Sequence, residues 1–306
     1  MNSHINKRVW RYFFTVAIVG LIAACFVAIR IGESFSRPTP ASAGEPPFDF
    51  PYEDAYFSSS SGSTISAWHF PVDNATACVV LLHGVRSNRW GPVHRVPFLR
   101  AAGYSVLTID FQAHGESPGD HITFGYLESR DARASVRWMR EKYPGKKVAV
   151  IGISMGAAAA VLGDDLLGAD AVILETMYGT LAEAVDNRMR MSLGSAGPLF
   201  SWVLLVQSKP RLGFWPSELR PIERISDLNA PVFIIAGAED RHTTIAESKR
   251  IFDRAREPKE FWAVPGARHD NIWSFAQTEY ERRVLDFLAR SLGTADRKDA
   301  EAIGAS

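Results

Sequence analysis

Residues 148–156 contain a serine in a setting typical of a catalytic nucleophile. Their sequence is V-A-V-I-G-I-S-M-G, and an Ala-rich stretch follows. The apolar, β-branched run predicts a buried strand, and the stretch after it is compatible with a helix. Glycines two residues before and two residues after Ser154 favour a sharp strand–turn–helix elbow, because a strained turn crowds its neighbours and leaves no room for a Cβ. Such an elbow presents the Ser154 hydroxyl outward.

A serine hydroxyl is a poor nucleophile until a base takes its proton, so a histidine must also be found. After an elbow of this kind the order along the chain is serine, acid, histidine. The histidines downstream of Ser154 are His242 and His269. His269 lies in the loop P-G-A-R-H-D, directly after the last predicted strand. We therefore expect His269 to be the base, and the alternative is a surface-loop histidine without a catalytic role.

The acid that orients the base should follow the preceding strand. The sequence A-G-A-E-D at residues 236–240 does so, and we expect Asp240 to be the acid. Glu239 beside it and Glu175, at the end of an earlier predicted strand, are the alternatives. Asp240 could instead serve only as the N-cap of a helix that begins near Thr243 or Thr244.

An acyl-transfer site also needs two hydrogen-bond donors for the oxyanion. We expect one from the backbone N–H of Met155, which follows the nucleophile. The other should come from the turn after the first long strand, where His83-Gly84-Val85 would direct the Val85 N–H toward Ser154, with the glycine letting the backbone fold back. His83 itself is expected to hold this loop by hydrogen bonds rather than to take part in the chemistry.

A second cluster with a serine, a histidine and an aspartate occupies residues 110–117. Ser117 lies there in a loop without an elbow, so we interpret this cluster as a structural turn. Gly152 and Gly156 have neither the lysine of a phosphate loop nor the dinucleotide-binding spacing. We expect no metal, because no H-x-H or H-x-x-x-H spacing joins His83, Asp110, His114, His121 and His269.

Strands and helices alternate along the chain from about residue 55. This alternation predicts a mostly parallel sheet covered by helices on both faces, with ligands at the carboxyl ends of the strands. The predicted strands are 55–57, 64–72, 78–82, 104–111, 148–151, 171–175, 232–236 and 260–264. The predicted helices are 93–102, 127–143, 155–167, 244–255 and 274–292.

Composition excludes several classes of function. The 306 residues suffice for one large domain or two smaller ones, and Lys plus Arg equals Asp plus Glu at 34 each. A nucleic-acid partner is not expected without a basic patch. Cys25 and Cys78 form neither a disulfide framework nor a C-x-x-C motif, so cysteine usage leaves the compartment open.

The N-terminus contains a membrane segment. Residues 12–29 are uncharged, and about 18 helical residues span ~27 Å, close to the hydrocarbon thickness of a bilayer. We expect a retained signal anchor; the alternatives are a signal peptide cleaved after residues 41–43, A-S-A, and a lipoprotein signal ending at Cys25. Lys7, Arg8 and Arg11 favour a cytoplasmic N-terminus and an exported domain, periplasmic or extracellular, although Arg30 reduces the charge difference.

These motifs together resemble the alpha/beta-hydrolase superfamily, nearest to its serine esterase and serine aminopeptidase-like branch. They are L-L-H-G at 81–84, the turn at 110–117, the elbow at 152–156, G-A-E-D at 237–240 and G-A-R-H at 266–269, within a region of about 55–292. The resemblance implies an alpha/beta-hydrolase fold, a triad of Ser154, Asp240 and His269, the oxyanion donors named above, and no cofactor.

The chain divides into four expected regions. Residues 1–33 are the membrane segment, 34–51 a Pro-, Ser- and Ala-rich linker, 52–293 the hydrolase domain and 294–306 a flexible tail. An insertion at about 178–227 lies where such hydrolases carry a helical cap, and it is rich in Met, aromatic and branched residues. We expect these residues to pack the cap onto the domain; an acyl-binding wall or a membrane-touching lid is also compatible.

The sequence thus predicts a membrane-tethered serine hydrolase. It would cleave small carboxylic esters, with lipid-like acyl groups among the candidates, through an acyl-enzyme on Ser154. A peptidase or amidase on the same triad and a non-catalytic scaffold on a hydrolase fold are the alternatives. The sequence specifies neither the substrate nor the oligomeric state.

Overall fold

A computed structural model of the chain describes residues 2–294, with side chains from residue 9 onward. The tail expected at 294–306 therefore lies, apart from Thr294, outside the described residues. The strands are β1 (Thr39–Pro40), β2 (Glu53–Ser58), β3 (Thr64–Phe70), β4 (Ala77–Leu82), β5 (Tyr104–Ile109), β6 (His114–Gly115), β7 (Val148–Ile153), β8 (Ala171–Glu175), β9 (Val232–Gly237) and β10 (Lys259–Val264). The α-helices are α1 (Asn2–Ser36), α2 (Val96–Ala101), α3 (Glu128–Lys142), α4 (Met155–Val161), α5 (Leu181–Leu193), α6 (Pro198–Leu205), α7 (Ser208–Leu212), α8 (Pro221–Arg224), α9 (Ile245–Arg254), α10 (Ile272–Phe275) and α11 (Gln277–Leu292).

Eight strands form one sheet in the order β10-β9-β8-β7-β4-β5-β3-β2. Neighbouring strands are parallel from β10 to β5, whereas β3 runs antiparallel to both β5 and β2. The central strands are buried on both faces. In β7, Val148 and Val150 belong to one hydrophobic core, and Ala149 and Ile151 to the other. The expected mostly parallel sheet with helices on both faces is confirmed.

The helix after the elbow is shorter than predicted. The expected helix over 155–167 ends at Val161, and Leu162 has an extended backbone. The guanidinium of Arg133 donates to the carbonyls of Leu162 and Asp165, each at 2.5 Å, and Gly163 has φ +105°. A side chain from α3 thus satisfies the carbonyls that another helical turn would have used. No pattern in the local sequence signals this distant partner.

The segment expected to be a linker lies against the domain. Its strand β1 pairs in parallel with β6, through Thr39 and Pro40. The backbone of Ala43 donates to Glu116 at 3.1 Å and accepts from the Trp90 indole N–H at 2.5 Å. The residues are extended, but their hydrogen bonds hold them on the surface of the sheet domain.

The turn at residues 110–117 is structural, in agreement with its interpretation from sequence. Asp110 is fully buried and accepts two hydrogen bonds from the Arg89 guanidinium, at 2.7 and 3.0 Å. Ser117 donates to the carbonyl of Asp110 and accepts the N–H of Ser66. These bonds fix the end of β5 and the loop that holds β6.

Near the N-terminus, α1 includes a stretch, Val9–Ser36, that is long and apolar enough to cross a bilayer. Among the described residues it is the one helix with that length and composition, and a signal sequence meets the same criteria. Its large apolar side chains between residues 9 and 29 are exposed.

Asp131 gives the fold a predictable pH dependence. It lies in the first turn of α3, where Oδ2 accepts the Gln112 N–H at 3.0 Å and Oδ1 has no hydrogen-bond partner within the described residues. Burial raises the pKa of Asp131 from 3.8 to about 7. Because the folded state holds the proton more tightly than the unfolded chain, this residue's contribution to stability is lost as the pH rises through that interval.

We therefore expect Asp131→Asn to be more stable than the wild type at pH 8, by an amount on the order of a few kcal/mol. The difference should shrink as the pH approaches 4, since a protonated Asp131 is neutral like the amide. Urea unfolding in detergent at pH 4.5, 6 and 8 measures both free energies of unfolding. An unchanged difference across these conditions contradicts the shifted titration.

Candidate active site

Ser154 lies at a strained elbow between β7 and α4. Its backbone has φ +52° and ψ −111°, a conformation that is costly for a residue with a side chain. An ideal Cβ on Gly152 would stand 2.6 Å from the carbonyl oxygen of Gly156, and one on Gly156 would stand 2.5 Å from that of Leu82. Both glycines therefore face backbone atoms, which is the crowding expected from the sequence.

Three candidate catalytic side chains meet at the carboxyl ends of the strands. His269, after β10, has Nε2 at 3.0 Å from Ser154 Oγ. Its Nδ1 lies 2.7 Å from Oδ2 of Asp240, which follows β9. Because a carboxylate only accepts, this pattern fits an imidazole that donates from Nδ1 to Asp240 and accepts the Ser154 hydroxyl proton at Nε2.

Asp240 is buried and surrounded by donors. Besides His269, it accepts the backbone N–H groups of His242 at 2.7 Å and Thr243 at 3.0 Å, and the Thr243 hydroxyl at 2.6 Å. Burial alone would raise the pKa of Asp240, but the bonds from His269 and Thr243 outweigh it, and the pKa is lowered. The carboxylate is thus ionised at neutral pH. The N-cap of α9 is Thr244, so the alternative role of Asp240 as that cap is wrong.

The two alternative acids are engaged or oriented elsewhere. Glu175, at the end of β8, accepts from Arg95 at 2.6 and 3.1 Å and from the Tyr280 hydroxyl, all within the protein interior. Glu239 is exposed at the rim of the cleft. The geometry therefore brings Asp240, and not these neighbours, to the imidazole.

His83 shapes the turn that carries Val85. It is fully buried, its Nε2 accepts the Phe111 N–H at 3.0 Å, and its Nδ1–H donates to the Gly84 carbonyl at 2.7 Å. Burial holds the pKa of His83 well below its usual value, so the ring is neutral. The left-handed residue of this turn is Arg86, with φ +61°, and not Gly84 as the sequence suggested.

The two expected oxyanion donors stand beside Ser154. Val85 and Met155 line a cavity with Ser154, and Met155 is the first residue of α4. Among residues 2–294, neither backbone N–H donates to another protein group. An ideal Cβ on Gly84 would be 3.6 Å from the Cβ of Ser154, so the turn contacts the elbow closely. Both N–H groups are therefore available to a bound oxygen.

Two cavities of different character meet at the serine. An open cleft of about 1270 Å³ is lined largely by charged and polar residues, among them Arg95, Glu175 and Arg268. The other cavity, of about 490 Å³, is more apolar and extends beneath the cap. Residues that line both are Val85, Ser154, Arg188, His242 and His269.

Sequence reasoning missed two contributors to the apolar cavity. From α5 come Val185, Arg188 and Met189, whose spacing of three and four residues is a helical signal that could have identified this face. From α1 come Phe35 and Ser36, in its last turn. Nothing in the apolar pattern of α1 indicates that its end lies beside a site more than a hundred residues away.

Residues 79–285 match the alpha/beta hydrolase family. The chain belongs to this family. The match covers more than half of the sequence and contains the elbow, Asp240 and His269. The expected resemblance is thus confirmed.

Individual proteins of other organisms are similar over most of the chain. YqkD of Bacillus subtilis is 25% identical over 238 residues, which are 75% of this chain and 77% of YqkD. A lysophosphatidylserine lipase of Danio rerio is 25% identical over 217 residues, 65% of this chain and 55% of the lipase. The structure of an esterase of Pyrococcus furiosus superposes with a TM-score of 0.70 and 26% identity, covering 84% of this chain and 98% of the esterase. These similarities support a hydrolase activity.

The elbow's crowding makes Gly156→Ala a severe change. The new methyl group would overlap the carbonyl oxygens of Leu82 and His83, which are backbone atoms and cannot rotate away. We expect a net loss of about 1–3 kcal/mol in the free energy of unfolding. This net value already includes a gain of about 1 kcal/mol from the higher helix propensity of alanine. Urea unfolding measures it. The control is Gly84→Ala, whose methyl group would make ordinary contacts, and equal losses in both variants contradict the interpretation.

Proposed function

We propose that this hydrolase cleaves carboxylic esters through a covalent acyl-enzyme on Ser154. The observation that supports this most is the contact series from Ser154 Oγ to His269 Nε2 at 3.0 Å and from His269 Nδ1 to Asp240 at 2.7 Å. His269 takes the serine proton as Oγ attacks the ester carbonyl, and then returns it to the departing alcohol. A water molecule activated by the same imidazole hydrolyses the acyl-enzyme.

Asp240 stabilises the imidazolium that forms when His269 accepts the proton. Its lowered pKa keeps it ionised at neutral pH, and its bond to Nδ1 keeps Nε2 directed at the serine. The three other donors on Asp240 fix the carboxylate, so little reorganisation accompanies proton transfer.

The negative charge on the tetrahedral intermediate is held by the backbone N–H groups of Val85 and Met155. Both residues line the cavity at Ser154, and their N–H groups have no protein acceptor within residues 2–294. Each such donor is worth about 10²- to 10³-fold in turnover. Because the donor is the main chain, the side chain of Val85 matters little to this step.

The acyl group occupies the apolar cavity, and the alcohol leaves through the open cleft. A volume of about 490 Å³ is suited to one acyl chain, and most of the surface that lines the cavity is apolar. The similarity to an esterase and to a lysophosphatidylserine lipase supports ester rather than amide substrates.

Ser154→Ala should abolish hydrolysis of nitrophenyl butyrate, by at least about 10³-fold, and labelling by a fluorophosphonate probe. The control is Ser87→Ala, which removes another hydroxyl from the same cleft and should leave labelling intact.

Asp240→Asn should lower turnover by about 10⁴-fold, whereas Glu239→Gln should stay near the wild type. Substantial activity in the Ser154 variant rules out the acyl-enzyme. Faster cleavage of aminoacyl amides than of esters would favour a peptidase, and absent labelling of a folded wild type would favour a scaffold.

We further propose that α1 is retained as a membrane anchor, with the N-terminus cytoplasmic and the hydrolase domain exported. The basic residues Arg8 and Arg11 precede the apolar stretch, which supports this orientation. Protease should digest the domain when it is added to cells whose plasma membrane is sealed and whose outer envelope has been permeabilised. Full protection of the domain under these conditions contradicts export.

A further inference from the structure

The cap helix α6 is apolar on both of its faces. Leu204 and Leu205 line the apolar cavity, and Ser201 is buried on that side. Outside that buried side, α6 and its C-cap have four large apolar side chains, each more than half exposed: Leu199, Phe200, Trp202 and Val206. A helix that is apolar all round is normally surrounded by protein or lipid, so the outer face of α6 is suited to an apolar partner.

The end of α1 packs beside α6 and reaches the substrate cavity. Gly32, Ser34, Phe35 and Ser36 line that cavity together with Ser154. The last two turns of α1 therefore contact both the exposed cap helix and the space next to the nucleophile.

Hydrogen bonds hold the end of α1 in this place. Gln207 donates to the carbonyl of Ala28 at 3.1 Å, and Arg211 donates to the hydroxyl of Ser36 at 2.9 Å. On the domain side, Arg86 donates to the carbonyl of Ser34 at 2.7 Å. The end of the helix is thus fixed to α7 and to the turn after Val85. The large apolar side chains in the earlier part of α1, between residues 9 and 29, are exposed.

We propose that the last two turns of α1 form a wall of the acyl pocket and that α6 lies in the membrane interface beside them, so that a single-chain membrane lipid passes from the bilayer directly into the pocket. This inference rests on the proposed ester hydrolysis and on retention of α1. The uncharged run of α1, residues 12–29, ends before Arg30, which would place residues 32–36 where the hydrocarbon gives way to headgroups.

The charge distribution around α6 matches a lipid surface. Arg37 and Lys209 are exposed near the end of α1 and the start of α7, where phosphate groups of lipids would lie, whereas Arg30 is paired with Glu33. Trp202 and Trp215 are exposed on the same cap, and tryptophan is enriched at membrane interfaces. A bilayer is the occupant that also surrounds the exposed part of α1, so one partner covers both apolar surfaces.

The full-length chain in vesicles of phosphatidylcholine and phosphatidylglycerol tests the α6 surface. Two substrates are compared: monooleoylglycerol within the vesicles and nitrophenyl acetate in the water. The double variant Phe200→Ser with Trp202→Ser should lower the ratio of lipid to soluble-ester hydrolysis at least tenfold. The control Leu166→Ser removes an equally exposed apolar side chain elsewhere and should leave both rates near the wild type.

Phe35 tests the pocket wall. Over nitrophenyl esters of 2 to 16 carbons, Phe35→Trp should move the preferred chain length downward and Phe35→Ala should move it upward, through KM more than kcat. The control Phe26→Ala alters the exposed part of α1 and should leave the preference unchanged. Fluorophosphonate labelling in detergent verifies that each variant is folded.

Four results would overturn the inference. A wild-type lipid-to-ester ratio in the α6 variant shows that this face does not meet the bilayer, and loss of a dimer in that variant assigns the face to a second copy of the chain. An unchanged chain-length preference in both Phe35 variants removes α1 from the pocket. A folded wild type that cleaves neither substrate shows instead that the proposed ester hydrolysis is wrong, and the inference falls with it.

Discussion

The site depends on a contact between backbones at the elbow. The main chain at Gly156 lies so close to the carbonyls of Leu82 and His83 that a single methyl group would not fit between them. This contact joins the start of α4 to the end of β4, and it fixes Met155 and Val85 on either side of Ser154. Since both expected oxyanion donors are main-chain groups, their separation is set by how the segments pack and not by side-chain rotamers. The strain at Ser154 is maintained because the flanking strand and helix are buried on all sides.

The candidate base and the candidate acid follow strands on the far side of β8 from Ser154. Glu175 ends β8, so its carboxylate lies between Ser154 and Asp240 and could compete with Asp240 for the imidazole. Its pairing with Arg95 and Tyr280 removes it from the imidazole and neutralises its charge inside the core. Because this ion pair keeps Glu175 away from the imidazole, Asp240 is the carboxylate that bonds to His269.

The arrangement of the candidate site was predictable from sequence because its signals are local. The glycines around Ser154, the strand that precedes Asp240 and the loop that holds His269 each indicate a position within a few residues, and chain order supplies the rest. The contact between the cap and α1 and the early end of α4 were not predictable, because these contacts join distant parts of the chain. Gln207 meets α1 across 179 positions, and Arg133 ends α4 from a different helix. The pairing of residues 39–40 with β6 was not predicted for the same reason. A composition rich in Pro and Ser does not indicate a pairing partner some seventy residues later in the chain.

The hydrogen bonds along residues 39–43 have a mechanical consequence. A free tether would let the domain rotate and sample many heights above a bilayer, but pairing of β1 with β6 and the bond from Trp90 to Ala43 remove that freedom. With α1 retained in a bilayer, as proposed above, these hydrogen bonds would hold Ser154 at a constant height above the membrane. The position of the ester carbonyl along a lipid, and not only the shape of its acyl chain, would then decide which molecules react.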